Sequence, residues 1–182
     1  MNMRIKWVTI FLFIIPQLVF AGGSEQRSCA TDEILIYLVD YSYCAPKGEV
    51  NSLNVPGGRH NAVHVTGRDY EYSFARMPVS IALMDIPSKK GISLSSFFKR
   101  LADVRDTQGR FTEIREAFGI GERTVVSKYS NKDFEAYYIA NEKSLNNSIY
   151  IFNNTDEYIY VVKGSITAEF SQTFFSSLEY LY

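Results

Sequence analysis

The chain has 182 residues, of which 46% are hydrophobic and 15% aromatic, and its 19 basic and 20 acidic side chains give a net charge of −1. This length and composition are sufficient for one globular domain with a substantial core. Because phosphate recognition needs a basic stripe, the balanced charge argues against a nucleic-acid-binding protein.

The sequence begins with a pattern typical of a secretory signal peptide. Two positive charges precede an apolar run from Trp7 to Phe20, and Ala21 supplies the small residue that signal peptidase reads. We therefore expect residues 1–21 to be cleaved and residues 22–182 to form a single domain. The run is too short and interrupted for a transmembrane helix. The mature protein is thus predicted to be periplasmic or secreted, without spanning a membrane.

Cys29 and Cys44 are the only two cysteines. In an exported chain such a pair is first interpreted as a disulfide bond. Because the Cα atoms of bonded cysteines lie within about 7 Å, the chain between them must reverse direction. Thr31 to Asp40 fits a short helix followed by a returning segment, whereas its aromatic and β-branched residues favour a strand. The sequence leaves both alternatives open.

Turns and two alternating runs follow. In the stretch NVPGGRHN, Pro56 and Gly57 fit the central positions of a type II turn. Apolar residues then alternate with small or polar ones, as half-buried strands require. The members of the first run are Tyr70, Tyr72 and Phe74, and those of the second, behind Pro78, are Val79, Ile81 and Leu83.

The period then changes to that of helices. Ser93 is suited to cap a helix whose apolar residues recur at helical spacing, namely Leu94, Phe97, Phe98, Leu101 and Val104. A second helix begins near Phe111 and can end at Gly119. A four-strand meander is predicted over residues 123–129, 133–140, 148–153 and 157–163. A closing helix carries a stripe formed by Ile166, Phe170, Phe174, Leu178 and Leu181.

This order of elements predicts an α+β fold with a mostly antiparallel sheet packed between helices. Three segments carry a resemblance to the PsbP-like and DcrB-like fold family: KGISLSSFFKRL, the meander FEAYYIANEKSLNNSIYIFNNTDEYIYVVKGS, and FSQTFFSSLEYL. The resemblance implies a PsbP-like sandwich. It also implies a non-enzymatic role, because members of that family are mostly binding or assembly factors.

Candidate catalytic groups are few. His60 and His64 are the only histidines, and the spacing HNAVH lacks the internal glutamate of a zinc protease motif. Ser93 in GISLS resembles a nucleophile elbow, but Ser95 stands where that turn needs a glycine. Cys44 is expected to be oxidised, which would prevent its use as a nucleophile. We therefore predict no catalytic residue, metal or cofactor.

Aromatic residues in the last strands offer a different kind of site. Alternation predicts that Ile149, Ile151, Ile159 and Val161 share an aliphatic face, whereas Tyr150, Phe152, Tyr158 and Tyr160 share an aromatic face with Tyr137 or Tyr138. Tyrosine rings bury area while their hydroxyls stay hydrated, so an open ring face suits a protein interface. Cross-strand ring pairing within the core is the alternative.

The leading hypothesis is therefore an exported, non-enzymatic interaction protein. It predicts a protein partner, such as an exported toxin blocked by an immunity protein or an envelope component. The alternative is a small cell-envelope hydrolase that uses His60 or His64 with a nearby carboxylate.

Overall fold

The computed structural model describes residues 28–55, 62–84, 86–87, 91–103, 111–121, 123–141, 147–153 and 157–181. The signal-peptide prediction, the predicted turn at Pro56 and Gly57, and His60 lie outside these residues. The strands are β1 Glu33–Leu38, β2 Tyr41–Pro46, β3 Val50–Asn54, β4 Ala62–Gly67, β5 Glu71–Pro78, β6 Thr124–Ser130, β7 Glu135–Asn141, β8 Asn147–Phe152, β9 Tyr158–Ser165 and β10 Glu179–Tyr180. The helices are α1 Val79–Ala82, α2 Leu94–Ala102, α3 Phe111–Ala117 and α4 Ala168–Ser177.

Two antiparallel sheets organise the described chain. Seven strands form the larger sheet in the order β3-β4-β5-β9-β8-β7-β6, and the smaller sheet has the order β1-β2-β10. Every strand pair is antiparallel. The sequence-based prediction of an α+β fold with a mostly antiparallel sheet is confirmed.

The larger sheet carries a core on each face of its central strands, whereas no residue of its edge strands β3 and β6 is buried. One face packs beneath α2 and α3 through a cluster that includes Phe97, Phe98 and Phe111. The opposite face is covered by the small sheet and α4, through residues such as Tyr41 and Phe174. Each fully buried phenylalanine contributes about 2 kcal/mol before conformational entropy is subtracted. The sheet therefore separates two cores and holds the small sheet and α4 together on one side.

The segment between the cysteines is a β-hairpin, which decides between the two alternatives that the sequence left open. Strands β1 and β2 pair from Glu33 opposite Pro46 to Leu38 opposite Tyr41. Val39 in the connecting turn has a φ of 56°, within the left-handed region that tight hairpin turns use. The reversal brings the Cα atoms of Cys29 and Cys44 to 5.6 Å, and the disulfide is formed.

Most of the helical expectations are confirmed. Ser93 caps α2, because its hydroxyl accepts a hydrogen bond of 3.2 Å from the backbone N–H of Ser96. After α3 the chain turns at Gly119, whose φ is 70°. Thr167 caps α4 in the same way as Ser93 caps α2, accepting from the N–H of Phe170 at 3.0 Å.

The second alternating run is not a strand, and that prediction is wrong. Pro78 is the last β5 residue to pair, and its partner Tyr158 is the first residue of β9. Because no β9 residue continues the ladder, the chain turns into α1, closed by a 2.9 Å bond from Leu83 N–H to Val79 O. Leu83 is fully buried, whereas Ile81 is 64% exposed.

The closing helix is shorter than predicted. It ends at Ser177, and Glu179–Tyr180 pair with β2 as the third strand of the small sheet. Leu181 leaves the predicted stripe and is 39% exposed, and its N–H donates to the carbonyl of Asp40 at 3.0 Å. Among the described residues, no helix has the length and apolarity needed to cross a membrane.

Candidate functional site

The predicted aromatic face does not form an open patch. Tyr137, Tyr150, Phe152 and Tyr160 are between 0% and 5% exposed. Only Tyr158 is half-buried, and the guanidinium of Arg76 lies 3.9 Å from its ring centroid. The four buried rings stabilise the interior and are not available to a partner in this structure.

The assignment of side chains to faces was also wrong, for a reason that lies in strand register. Tyr150 pairs with Val161 and Ile151 pairs with Tyr160, and residues that pair across two strands share a face. Tyr150 therefore faces α2, where Phe98 lies 5.2 Å away, centroid to centroid. Tyr160 faces the small sheet, where Tyr41 lies 4.8 Å away.

The described histidine lies on an exposed position of β4. His64 pairs across the sheet with Ser73, and its Nδ1 is 2.6 Å from the Ser73 Oγ. Within the described residues, His64 forms no ion pair or hydrogen bond with a carboxylate. His60 lies outside the described residues. The described residues therefore do not contain the histidine and carboxylate pair that the hydrolase hypothesis requires.

The cysteine and serine candidates both have structural roles. Cys29, Glu33 and Cys44 present ligand atoms within 4.8 Å of one another. The two sulfurs are joined in a disulfide, so neither can act as a thiolate metal ligand or nucleophile. Ser93 uses its hydroxyl as the α2 cap.

A concave surface lies elsewhere, between the small sheet, the β4–β5 turn and α4. We call it the α4 groove. Its volume is about 370 Å³. It is lined by Tyr43, Cys44, Ala45, Pro46, Glu49, Arg68, Asp69, Tyr70, Thr167, Glu169, Phe170, Thr173 and Phe174. A concavity of this size is within the range of small-ligand and side-chain binding sites.

Aromatic rings form the apolar part of the α4 groove. Tyr70 and Phe170 are both half-buried, and their ring centroids are 4.8 Å apart. Behind them, Tyr72 lies 5.9 Å from Tyr70 and 5.2 Å from Phe170. Contacts in this range stabilise ring pairs beyond the area they bury. The two half-buried rings are therefore held in place by a buried third ring.

Gly67 makes room for the Tyr70 ring. A Cβ atom at Gly67 would lie 2.3 Å from Cζ of Tyr70, so the ring occupies the space that any other residue would fill. The same turn is closed by a 2.8 Å hydrogen bond from Gly67 N–H to Tyr70 O. Local sequence thus fixes the position of a groove-lining ring.

A buried pair of hydroxyls lies under the groove. The hydroxyls of Tyr43 and Tyr72 hydrogen-bond to each other. Burial raises the pKa of Tyr43 and raises that of Tyr72 well above its ordinary value. Since ionisation is disfavoured in both, the pair is a neutral hydrogen-bonded support for the rings above it.

The rim of the α4 groove is charged. Glu49, Asp69 and Glu169 bring three carboxylates, and Arg68 brings one guanidinium. All four side chains are exposed, and none forms an ion pair with another described residue. The pKa of Tyr70 is raised, first by burial and then by the charge of Glu49, which places a negative field at the ring hydroxyl. The rim has a net negative charge.

Hydrogen bonds between distant segments hold the walls together. The N–H of Arg68 donates to Glu49 O at 2.9 Å, and the amide of Asn51 donates to Gly67 O at 3.0 Å. On the other wall, the Ser177 hydroxyl donates to Cys44 O at 3.2 Å, which ties α4 to β2 beside the disulfide. The groove is thus a fixed feature of the fold.

A second pocket adjoins the first around the beginning of α4. It has a volume of about 330 Å³ and shares Asp69 and Thr167 with the α4 groove. Its outer end reaches Val125, which is 52% exposed on the edge strand β6. Asn147 in its wall donates to the carbonyl of Ile166 at 2.6 Å. The two pockets together form an elongated depression.

Sequence reasoning did not identify the α4 groove. Its residues come from β2, two turns and α4, and no single segment contains enough of them to form a motif. The detectable signal was local: Gly67 directly before a charged turn and the alternating Tyr70 and Tyr72. No protein-family model matches the sequence, and a search of curated proteins finds no match.

Proposed function

We propose that this chain is an exported, non-enzymatic interaction protein that binds an extended segment of another protein in the α4 groove and its adjoining pocket. The observation that carries this proposal is that the two pockets share Asp69 and Thr167. An elongated depression suits a run of successive side chains better than a compact metabolite. Segments of this kind are recognised by rigid grooves with apolar floors and polar rims.

The lining of the groove supports binding over catalysis. Its described residues include no histidine, and its one cysteine is in the disulfide. The rings and the unpaired rim charges are groups that recognise a partner without any bond being made or broken.

We also propose kinship with the PsbP-like and DcrB-like fold family, whose members are mostly binding or assembly factors. Support comes from the antiparallel sheet with α2 and α3 on one face and α4 on the other. A disulfide-bonded hairpin supports the proposed location in the periplasm or outside the cell, where thiols oxidise. Within this class, an immunity protein that blocks an exported toxin and an envelope assembly factor are the two roles we consider.

Site-specific photo-crosslinking in cells tests the proposed function. A photoreactive phenylalanine analogue placed at Thr173, an exposed residue of the groove, should give a discrete cross-linked product. The matched control places the analogue at Thr112, which is exposed on α3, on the other face of the large sheet. The product should be lost when Phe170→Ala is added. A product of equal yield from both positions, or one indifferent to Phe170→Ala, would contradict the proposal.

A small cell-envelope hydrolase remains the second candidate, favoured by the 2.6 Å contact between Ser73 and His64. It predicts that His64→Ala, alone and together with His60→Ala, abolishes function at unchanged stability. The binding proposal predicts that these variants cross-link through the Thr173 position as well as the parent protein does.

A further inference from the structure

We infer that the α4 groove is a cation-binding site, and that the group it takes is the ammonium of a lysine or the guanidinium of an arginine in the bound segment. This inference rests on the proposed function, because it names the chemistry of the segment that the groove receives. It follows from three features that converge on one concavity: ring faces, an excess of carboxylates, and a fixed backbone.

The ring pair provides the first feature. Tyr70 and Phe170 both line the cavity and are half-buried. Aromatic faces attract cations through their quadrupole, and the attraction increases as water is excluded. A long basic side chain also presents methylene groups that pack against rings while its charged end stays polar. The apolar floor and the charged rim therefore match different parts of the same side chain.

The charge balance provides the second feature. Three carboxylates, from Glu49, Asp69 and Glu169, face the groove against the single guanidinium of Arg68. None of them is neutralised by an ion pair with a described residue. The field of the rim therefore acts on whatever enters the groove. An anionic segment would meet repulsion, and a neutral one would leave the carboxylates without a partner.

The third feature is that the site is already formed. The Tyr70 ring lies in the space left by the missing Cβ of Gly67, and the buried Tyr72 ring supports it at 5.9 Å. A preformed ring platform lowers the ordering cost of binding. The disulfide restrains the β2 wall at Cys44, and the hydrogen bond from the Ser177 hydroxyl to Cys44 O ties α4 to that wall.

Titration of the isotope-labelled, oxidised protein with three small probes tests the inference by NMR. The probes are Nα-acetyl-lysine amide, Nα-acetyl-arginine amide and the uncharged Nα-acetyl-norleucine amide, which has the stem of lysine without the ammonium. The two cationic probes should cause saturable shifts at the backbone amides of Tyr70 and Phe170. The norleucine probe should not. Equal shifts with norleucine, or no saturable shift with either cation, would overturn the inference.

Substitutions that remove one charge at a time test which groove residues bind the cationic probes. Glu49→Gln and Glu169→Gln should each weaken binding of the cationic probes about fivefold, as expected for one partly exposed ion pair. Arg68→Gln should strengthen it. Glu113→Gln, an exposed carboxylate on α3 across the sheet, is the matched control and should leave it unchanged. Indifference to both groove glutamates would overturn the inference.

The two proposals fail in distinguishable ways. Cationic probes that bind the groove while Thr173 gives no cross-link would refute the protein-binding function, and the site would then be one for a small amine. A groove-dependent cross-link that persists in Glu49→Gln and Glu169→Gln would refute the cation inference alone. Phe170→Leu, which keeps an apolar side chain, should weaken binding of the cationic probes, and a cooperative melting transition would show that the variant still folds.

Discussion

Adding one methyl group at Gly67 tests whether the groove ring is held as described. In the Gly67→Ala variant the new Cβ would lie 2.3 Å from Cζ of Tyr70, so the ring must move. Gly67 belongs to β4 and has no positive φ, so alanine fits its backbone. The whole effect of the substitution should therefore pass through the Tyr70 ring.

The size of the effect follows from the contacts that the ring would lose. Tyr70 contacts Tyr72 and Phe170, and each such contact contributes about 0.5–1.5 kcal/mol. Gly67→Ala should thus lower the free energy of unfolding by about 1–3 kcal/mol. In a Tyr70→Ala background there is no ring to displace. The same substitution should then stabilise by up to about 1 kcal/mol, because alanine restricts the unfolded chain.

The assay is urea denaturation of the parent, the two single variants and the double variant, all with the disulfide intact. The coupling free energy between positions 67 and 70 should be about 1–4 kcal/mol, the difference between the loss in the parent and the gain in the Tyr70→Ala background. Additive effects, with Gly67→Ala costing the same in both backgrounds, would refute the reasoning and remove the structural basis for a fixed ring platform.

Three further predictions concern the scaffold. Cys29→Ser with Cys44→Ser should lower the free energy of unfolding by about 3 kcal/mol, because the disulfide closes a 15-residue separation, and denaturant midpoints should not move on reduction of the double variant. Gly164→Ala should cost about 3 kcal/mol or more in the same assay, since its Cβ would lie 1.9 Å from a backbone carbonyl oxygen of β5. Burial raises the pKa of Tyr43 and Tyr72, so their contribution to stability is complete below about pH 10 and is lost above it. The part of the tyrosinate absorbance that comes from buried rings should then appear together with the loss of circular dichroism. Ionisation of every tyrosine while the circular dichroism is unchanged would contradict the buried pair.

The meander was the part of the fold that the sequence predicted best. The observed strands β6 to β9 differ from the predicted ranges by a residue or two. Alternation over six to eight residues is a strong local signal, and each strand is bounded by polar turn residues. Helices α2 and α3 were equally accessible to prediction, because the Ser93 cap and the turn at Gly119 are determined by neighbouring residues in the sequence.

The predictions that were wrong concern residues whose structure depends on partners far away in the sequence. Val79, Ile81 and Leu83 alternate as a strand would, but the ladder ends where β9 begins, so the backbone bonds within itself instead. The prediction of a shared aromatic face was wrong for a related reason. Alternation says which residues of one strand share a face, whereas register decides which face of the next strand joins them. The position of Tyr150 opposite Val161 is set by the register in which β8 pairs with β9.

The candidate site could not be predicted from the sequence because its residues come from segments that are far apart in the chain. Glu49, Arg68 and Glu169 are ordinary surface charges in their own segments, and a solvated role is the expected one for each. They acquire a common field only because β2, the β4–β5 turn and α4 are brought together on one face of the large sheet. The hydrogen bond from Arg68 N–H to Glu49 O and the one from the Ser177 hydroxyl to Cys44 O fix that arrangement. The electrostatic field arises only when the three segments lie together. Unfolding that separates them should therefore abolish cation binding, even though every groove residue is still present.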